Sequence, residues 1–294
     1  MKQIGYKVLL TLGLILIVIL SCKKDDGNDA IKVDHVEIEK IDRNSIENFL
    51  STHYLDADFN IQPIENNETP LMNQVSTKTV NITKDYTDDD AGEISIDYKL
   101  YYLIIEEGVG ENPIYTDSVN FSYRGLLLDK KEFDRNDYGS WAGIFGLVRG
   151  MIEFMVYLKP GNWVINPDTS ISYENTGKGY VFIPSGLGYG TKATSSVPSN
   201  SPLVFKVELN LVKQDTDWDR DGIYSKYEDV NNNGDFTDDD TDKDSYVNYY
   251  DPDDDGDGTP TMDENPDPNG DGNPSDALDS DNDGTPDYLD PDTK

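Results

Sequence analysis

The chain has 294 residues and sets 58 Asp+Glu against 24 Lys+Arg, a formal charge of -34. That balance argues against a nucleic-acid partner, because phosphate contacts need basic side chains. One Cys forbids an intrachain disulfide, and two His argue against a His-based zinc site or triad. The charge is uneven. Residues 215–294 hold 28 Asp+Glu and four Lys+Arg, net -24, whereas residues 1–214 hold 30 and 20, net -10. The two stretches need separate readings.

Lys2 and Lys7 precede an apolar run from Val8 to Leu20. The run is too short to span a bilayer well and fits the core of a signal peptide. It closes on Ile19-Leu20-Ser21-Cys22. This resembles a bacterial lipoprotein signal over residues 1–21, with Cys22 as the lipidated first residue of the mature chain. The alternative is an ordinary secretory signal that happens to contain a Cys. Several acyl chains on one residue give a stable anchor, at roughly 0.8 kcal/mol per buried methylene. Lys23-Lys24-Asp25-Asp26 is similar to the charged tag of surface-exposed lipoproteins in Bacteroidetes-type bacteria. The resemblance implies an outer-membrane lipoprotein, on its periplasmic or cell-surface face, with residues 22–40 as a tether.

Ile41 to Tyr54 reads as one short helix, capped by Asn44 or Ser45, with Ile46, Phe49 and Leu50 at helical spacing. It belongs to an N-terminal extension, 41–97, whose later part is polar and weakly patterned. His35 and His53 read as surface or packing residues. From Tyr98 the pattern turns to strands: Tyr98 to Glu106, Ser118 to Leu128, Tyr180 to Ile183 and Leu203 to Val212. Leu147 to Leu158 is apolar at helical spacing and stops at Lys159-Pro160-Gly161. The expectation for 98–214 is an α+β domain, an antiparallel sheet packed on one short helix.

The local words run in a fixed order: Phe121-Ser122-Tyr123-Arg124-Gly125, Lys131-Glu132-Phe133-Asp134, Leu147-Val148-Arg149-Gly150 and Leu158-Lys159-Pro160-Gly161. Then come Ile183-Pro184-Ser185-Gly186-Leu187-Gly188-Tyr189-Gly190, and Val197-Pro198 through Leu203-Val204-Phe205-Lys206-Val207-Glu208-Leu209. Order and spacing together resemble the FKBP-type peptidyl-prolyl isomerase family. The resemblance implies an FKBP-like sheet wrapped on a short helix, and proline-containing polypeptides as substrates. It places Tyr123, Phe133, Val148, Met151, Tyr189, Val197 and Phe205 around an apolar pocket, with Asp134 its polar member. The backbone N–H of Val148 and the hydroxyl of Tyr189 become donors to the bound peptide. Prolyl isomerisation needs no cofactor and no nucleophile. Its barrier of ~18–20 kcal/mol is amide resonance, lost in the twisted transition state, which a dry pocket with a few placed donors binds preferentially.

Packing alone accounts about as well for Phe133, Phe205 and Val148, and Asp134 fits a turn cap. Trp141 lies near a further pocket aromatic of the family. The chain departs from the family pattern twice. Met151 stands where the family usually has a Trp floor, and Asn162 to Gly179 is extra, a polar loop or hairpin turning at Asn166-Pro167-Asp168.

The acidic stretch repeats a spacing. Asp217, Asp219, Asp221, Gly222 and Glu228 match Asp-x-Asp-x-Asp-Gly followed after five residues by Glu, as do Asp253, Asp255, Asp257, Gly258 and Glu264. Asp229, Asn231, Asn233, Gly234 and Asp240 match with Asp last, as do Asp279, Asp281, Asp283, Gly284 and Asp290. Asp240, Asp242, Asp244 and Asp251 fit with Ser245 in place of Gly. Asp267, Asn269, Asp271 and Gly272 fit the first half, with Asp276 as a substitute ligand. Oxygen ligands two residues apart, with Gly at the sharp turn, wrap a cation of calcium size. Successive loops abut or nearly so, which leaves no space for the flanking helices of an EF-hand. The stretch resembles thrombospondin type 3 repeats, a helix-poor chain wound on calcium ions. The bland alternative is a disordered acidic tail.

Three functions fit: a lipid-anchored prolyl isomerase with a calcium-stabilised stalk, a non-catalytic peptide or chaperone module, and a calcium-dependent surface spacer or adhesion element. The sequence leaves the oligomeric state open.

Overall fold

The computed structural model describes residues 34–85 and 93–293. The proposed signal peptide, Cys22 and most of the tether lie outside the described residues. Among those described, no helix is long and apolar enough to cross a membrane.

The first helix, α1 (His35–Thr52), begins six residues before the expected start. Its buried positions are Glu39, Asp42, Ile46, Phe49 and Leu50. These form one helical stripe whose first two members are acidic, so apolar periodicity hides its opening turns. The expected cap, Ser45, is interior and bonds back to the Ile41 carbonyl at 2.8 Å. Asp42 accounts for its own burial: its Oδ2 accepts the Ser185 N–H at 2.7 Å. Desolvation nonetheless holds the Asp42 pKa above the ordinary carboxylate value.

A two-stranded hairpin follows, β1 (His53–Leu55) with β2 (Ile61–Pro63). The main sheet has six antiparallel strands: β3 (Ser76–Asp85), β4 (Glu93–Glu106), β5 (Ser118–Leu127), β6 (Glu132–Gly143), β9 (Gly177–Ile183) and β10 (Leu203–Lys213). Their spatial order is β3-β4-β9-β10-β5-β6. The extra segment forms its own hairpin, β7 (Asn162–Ile165) with β8 (Ile171–Glu174), closed by the Asn166 N–H on the Ser170 carbonyl. A hairpin turning at Asn166-Pro167-Asp168 is what the sequence leads one to expect.

Strand alternation sorts the side chains into two cores. Leu203, Phe205, Val207 and Leu209 of β10 face one side with Val181 and Ile183 of β9. Onto that side packs α2 (Arg149–Met155), through Met151, Phe154 and Met155. This helix is shorter than the expected run to Leu158, because the chain leaves it through turns before Pro160. Tyr180, Phe182 and Val204 face the other side, which α1 covers with Ile46, Phe49 and Leu50. The segment preceding Tyr98 thus supplies an edge strand and the lid of the second core. Leu50 is fully buried. Leu50→Ala is expected to cost about 2–5 kcal/mol, read as a lowered denaturation midpoint.

The acidic stretch contains only short 3-10 turns, at Ser225–Tyr227, Asn248–Tyr250, Thr261–Glu264, Pro274–Asp276 and Asp287–Leu289. Unlike a disordered acidic tail, it buries Ile223, Phe236, Tyr249 and Tyr288. It also docks on the sheet domain through aromatic rings. Phe145 meets Trp218 edge-on at 4.9 Å and Tyr249 at 5.4 Å, and Tyr115 stacks with Phe236 at 5.9 Å. The Trp218 indole N–H donates to the Thr116 carbonyl at 2.8 Å.

Candidate active site and acidic loops

Register brings the aromatic residues together. Phe205 of β10 lies opposite Gly125 of β5, and Gly125 lies opposite Asp134 of β6. A Cβ on Gly125 would come within 2.7 Å of the Phe133 ring and 3.0 Å of the Phe205 ring. The glycine is therefore the space into which two rings fold. The β5–β6 ladder is bulged on both sides of this point, between Phe121 and Tyr123 and between Gly125 and Leu126. Bulges re-aim side chains next to sites.

The result is a hollow with a closed floor and a half-open rim. Met151, Val197 and Phe205 are buried floor residues, and Tyr123, Phe133, Val148 and Tyr189 are half-buried around them. Phe133 stands edge-on to Phe205 at 5.5 Å and to Tyr189 at 6.4 Å. Tyr123 stands edge-on to Phe205 at 6.0 Å. The Tyr123 hydroxyl donates to Asp134 Oδ2 at 2.7 Å. Burial, reinforced by that carboxylate, pushes the phenol up to about 12, so it stays a donor. Trp141, by contrast, is exposed on β6 and is not a member of this core.

Two donors among the residues of this cluster are unspent. Val148 precedes α2 in extended conformation (φ -63°, ψ 144°). Among the described residues its N–H finds no acceptor, and neither does the Tyr189 hydroxyl. The turn leading to Tyr189 is fixed by the Asp42 bond to Ser185 and by Gly186, against which the Tyr98 ring leaves no room for a Cβ. An apolar floor, a carboxylate-held phenol and two free donors can bind an amide while supplying no nucleophile.

Four acidic loops share one clasp. In the loops starting at Asp217, Asp240, Asp253 and Asp279, the ninth residue returns its N–H to the carbonyl just before the loop. These bonds are Ser225 to Thr216, Asn248 to Asp239, Thr261 to Pro252 and Asp287 to Leu278, all 2.8–3.0 Å. The same residue's side chain accepts from the N–H of the second residue: Ser225 from Trp218, Asn248 from Thr241, Thr261 from Asp254 and Asp287 from Ser280. Each clasp starts a 3-10 turn that brings the twelfth residue back over the loop. There Glu228, Asp251 and Glu264 are buried, and Asp290 is half-buried. In each of the four loops, carboxylate oxygens of the first, third and fifth residues lie within 4.8 Å of one another.

The glycines at the sixth position have φ between +77° and +103°, and Ser245 takes +86° in the same role. The remaining two loops are weaker: Asn231 donates to Asp238 and Asp239, and Asp276 is exposed. Their first carboxylates, Asp229 and Asp267, accept from their own turns, as Asp279 does in a clasped loop.

Several buried carboxylate oxygens have no donor and would suit a cation. They include Asp219 Oδ2, Asp221 Oδ2, Asp240 Oδ1, Asp253 Oδ1, Asp255 Oδ2 and both oxygens of Glu228 and Glu264. Such orphaned charges are costly unless paired or bound to metal. Burial, with repulsion between neighbours, pushes Asp219 up to about 8 and Glu264 to about 7. Sequence reasoning found these residues. It missed the docking rings, although Trp218, Phe236 and Tyr249 are conspicuous in an otherwise polar stretch.

The antiparallel sheet with its short helix is consistent with an FKBP-like fold. Residues 110–210 match the family described as FKBP-type peptidyl-prolyl cis-trans isomerase. This segment is similar to FkpA of Escherichia coli K12, an FKBP-type peptidyl-prolyl cis-trans isomerase, at 36% identity over 118 residues, 39% of this chain and 38% of that protein. It is 32% identical over 122 residues to the FKBP-type 22 kDa peptidyl-prolyl cis-trans isomerase of the same organism, covering 40% of this chain and 52% of the relative. It is 28% identical over 119 residues to outer membrane protein MIP of Legionella longbeachae, covering 39% and 45%. The chain thus spans about two-fifths to one-half of these relatives.

Proposed function

We propose that the chain is a prolyl isomerase of the cell envelope, acting on proline-containing segments of exported or surface proteins. The carrying observation is the half-open aromatic hollow with the unspent donors of Val148 and Tyr189 above a buried floor. A proline ring enters over Phe205 and Met151. The donors then engage peptide carbonyls, and the dry walls favour the twisted amide over the planar one. The outer-membrane name of the Legionella relative and the lipoprotein-like residues around Cys22 support an envelope location with a lipid anchor. The acidic loops complete the reading as a calcium-stabilised element. Ligands would come from Asp217, Asp219, Asp221 and Glu228, from Asp240, Asp242, Asp244 and Asp251, from Asp253, Asp255, Asp257 and Glu264, and from Asp279, Asp281, Asp283 and Asp290. When bound, calcium supplies the positive charge that these buried carboxylates lack.

The test is cis–trans exchange of a proline tetrapeptide, followed by NMR with the full chain. The wild type is expected to accelerate exchange. Tyr189→Phe, which removes one hydrogen bond worth about 1–1.5 kcal/mol, is expected to lower kcat/KM about tenfold. Absence of acceleration by the wild type refutes catalysis. Met151 favours a second reading: a flexible thioether floor, 3% exposed, suits a site that holds varied peptides without turning them over. Peptide binding without acceleration, with Met151→Trp gaining activity, identifies that case.

A further inference from the structure

Asp254 has no place in the repeat. It is the second residue of the loop starting at Asp253, between two ligand positions, where the other clasped loops carry Trp218, Thr241 and Ser280. Those residues are not acidic. Asp254 is nevertheless 1% exposed, and neither of its carboxylate oxygens meets a donor. Its side chain does not join the Asp253, Asp255 and Asp257 group of its own loop. It lies with Asp221 and Glu228 of the loop starting at Asp217, each offering one oxygen within 4.8 Å of the others. Asp221 is 1% exposed and Glu228 2%.

This cluster is the most deeply buried acidic group among the described residues with this geometry, since all three members are buried. The Ile223 N–H occupies Asp221 Oδ1 at 2.8 Å. Asp221 Oδ2 and both oxygens of Glu228 and Asp254 remain without a donor. Lys226, the nearest basic residue in sequence to Glu228, is turned away onto Asp215. Three buried carboxylates with no cationic side chain demand an outside charge. The donor set is all oxygen, which suits a hard cation with six to eight oxygen ligands and disfavours zinc, which prefers nitrogen and sulfur.

We infer that Asp221, Glu228 and Asp254 form an inter-loop calcium site, in which Asp254 joins the loop starting at Asp253 to the loop starting at Asp217. The inference rests on the reading of the acidic stretch as calcium-binding and adds a ligand that no linear repeat supplies. The site cross-links segments about thirty residues apart. Tyr288 of the last loop, itself buried, lies within electrostatic range of the same three carboxylates. Calcium here fastens the stretch to itself as well as filling individual loops.

Asp254→Asn tests the site, because it keeps the shape and removes one charge. Calcium is titrated calorimetrically into the metal-free full chain, wild type and variant. The variant is expected to lose one ion, or to bind one ion at least tenfold more weakly, while the remaining ions bind as before. Melting temperatures supply a second readout with a change of sign. In chelator the variant is expected to melt above the wild type, since a carboxylate that must be desolvated or protonated on folding is gone. In saturating calcium it is expected to melt below the wild type, since a ligand is gone. An isotherm that superimposes on the wild type overturns the site, as does an equal loss of melting temperature with and without calcium. A wild type that binds no calcium refutes the underlying reading of the loops instead.

Discussion

Chelation is expected to lower the melting temperature of the acidic stretch steeply, and to do so more at pH 8 than at pH 5. Asp221 and Glu264 are raised to about 7 and Asp219 to about 8, with burial the first cause in each. The unfolded values are near 3.9 to 4.3. Without a cation the native state therefore binds more protons than the unfolded one. Stability must fall as pH rises. The favourable contribution is fully present below about pH 4 and is lost as pH climbs through about 7 to 8. Calcium competes with those protons, so saturating metal is expected to remove this slope or reverse it. Each site contributes about 4 kcal/mol when calcium exceeds its Kd a thousandfold. Scanning calorimetry at both pH values, with chelator and with millimolar calcium, measures the effect, and small-angle scattering follows compaction. Identical melting curves in all four conditions would remove the metal from the account.

Phe133→Ala is expected to lower kcat/KM by about 10- to 100-fold while leaving the protein folded. Phe133 is a half-buried wall, edge-on to both Phe205 and Tyr189. Apolar contact with a proline ring through such a side chain is worth about 1.5–3 kcal/mol, and 1.4 kcal/mol is one decade of rate. Phe205 is a poorer choice: it is 6% exposed, and truncating a core Phe costs about 3–5 kcal/mol of fold stability. The tetrapeptide assay and a thermal melt together check the outcome. A kcat/KM within twofold of the wild type, with an intact melt, would place the chemistry away from this hollow.

Strands with strong alternation were legible in the sequence. β4, β5, β9 and β10 carry β-branched and aromatic residues on buried faces, and the words flanking them place Tyr123, Phe133, Tyr189 and Phe205 in one family pattern. Edge strands were not. β6 is exposed or half-exposed throughout, and β3 sets only Val80 and Ile82 among Ser, Thr, Lys, Asn and Asp, so neither has a strong apolar signal to read. The opening of α1 was hidden because Glu39 and Asp42 hold positions that periodicity assigns to apolar residues. In the acidic loops, spacing exposed the carboxylates that cluster within one loop. Asp254 escaped because its partners are distant in sequence, and no linear pattern reports a contact between loops.

The ring cluster at Phe145 has a practical corollary. Trp218, Tyr249 and Tyr250 all touch that one phenylalanine, three residues ahead of Val148. A protein excised at residue 214 would leave Tyr115 and Phe145 facing water as an adhesive spot and would prise the loop before α2 from its brace. Truncation would then produce clumping and a loosened rim of the hollow at once, and a sluggish fragment would say little about the intact chain.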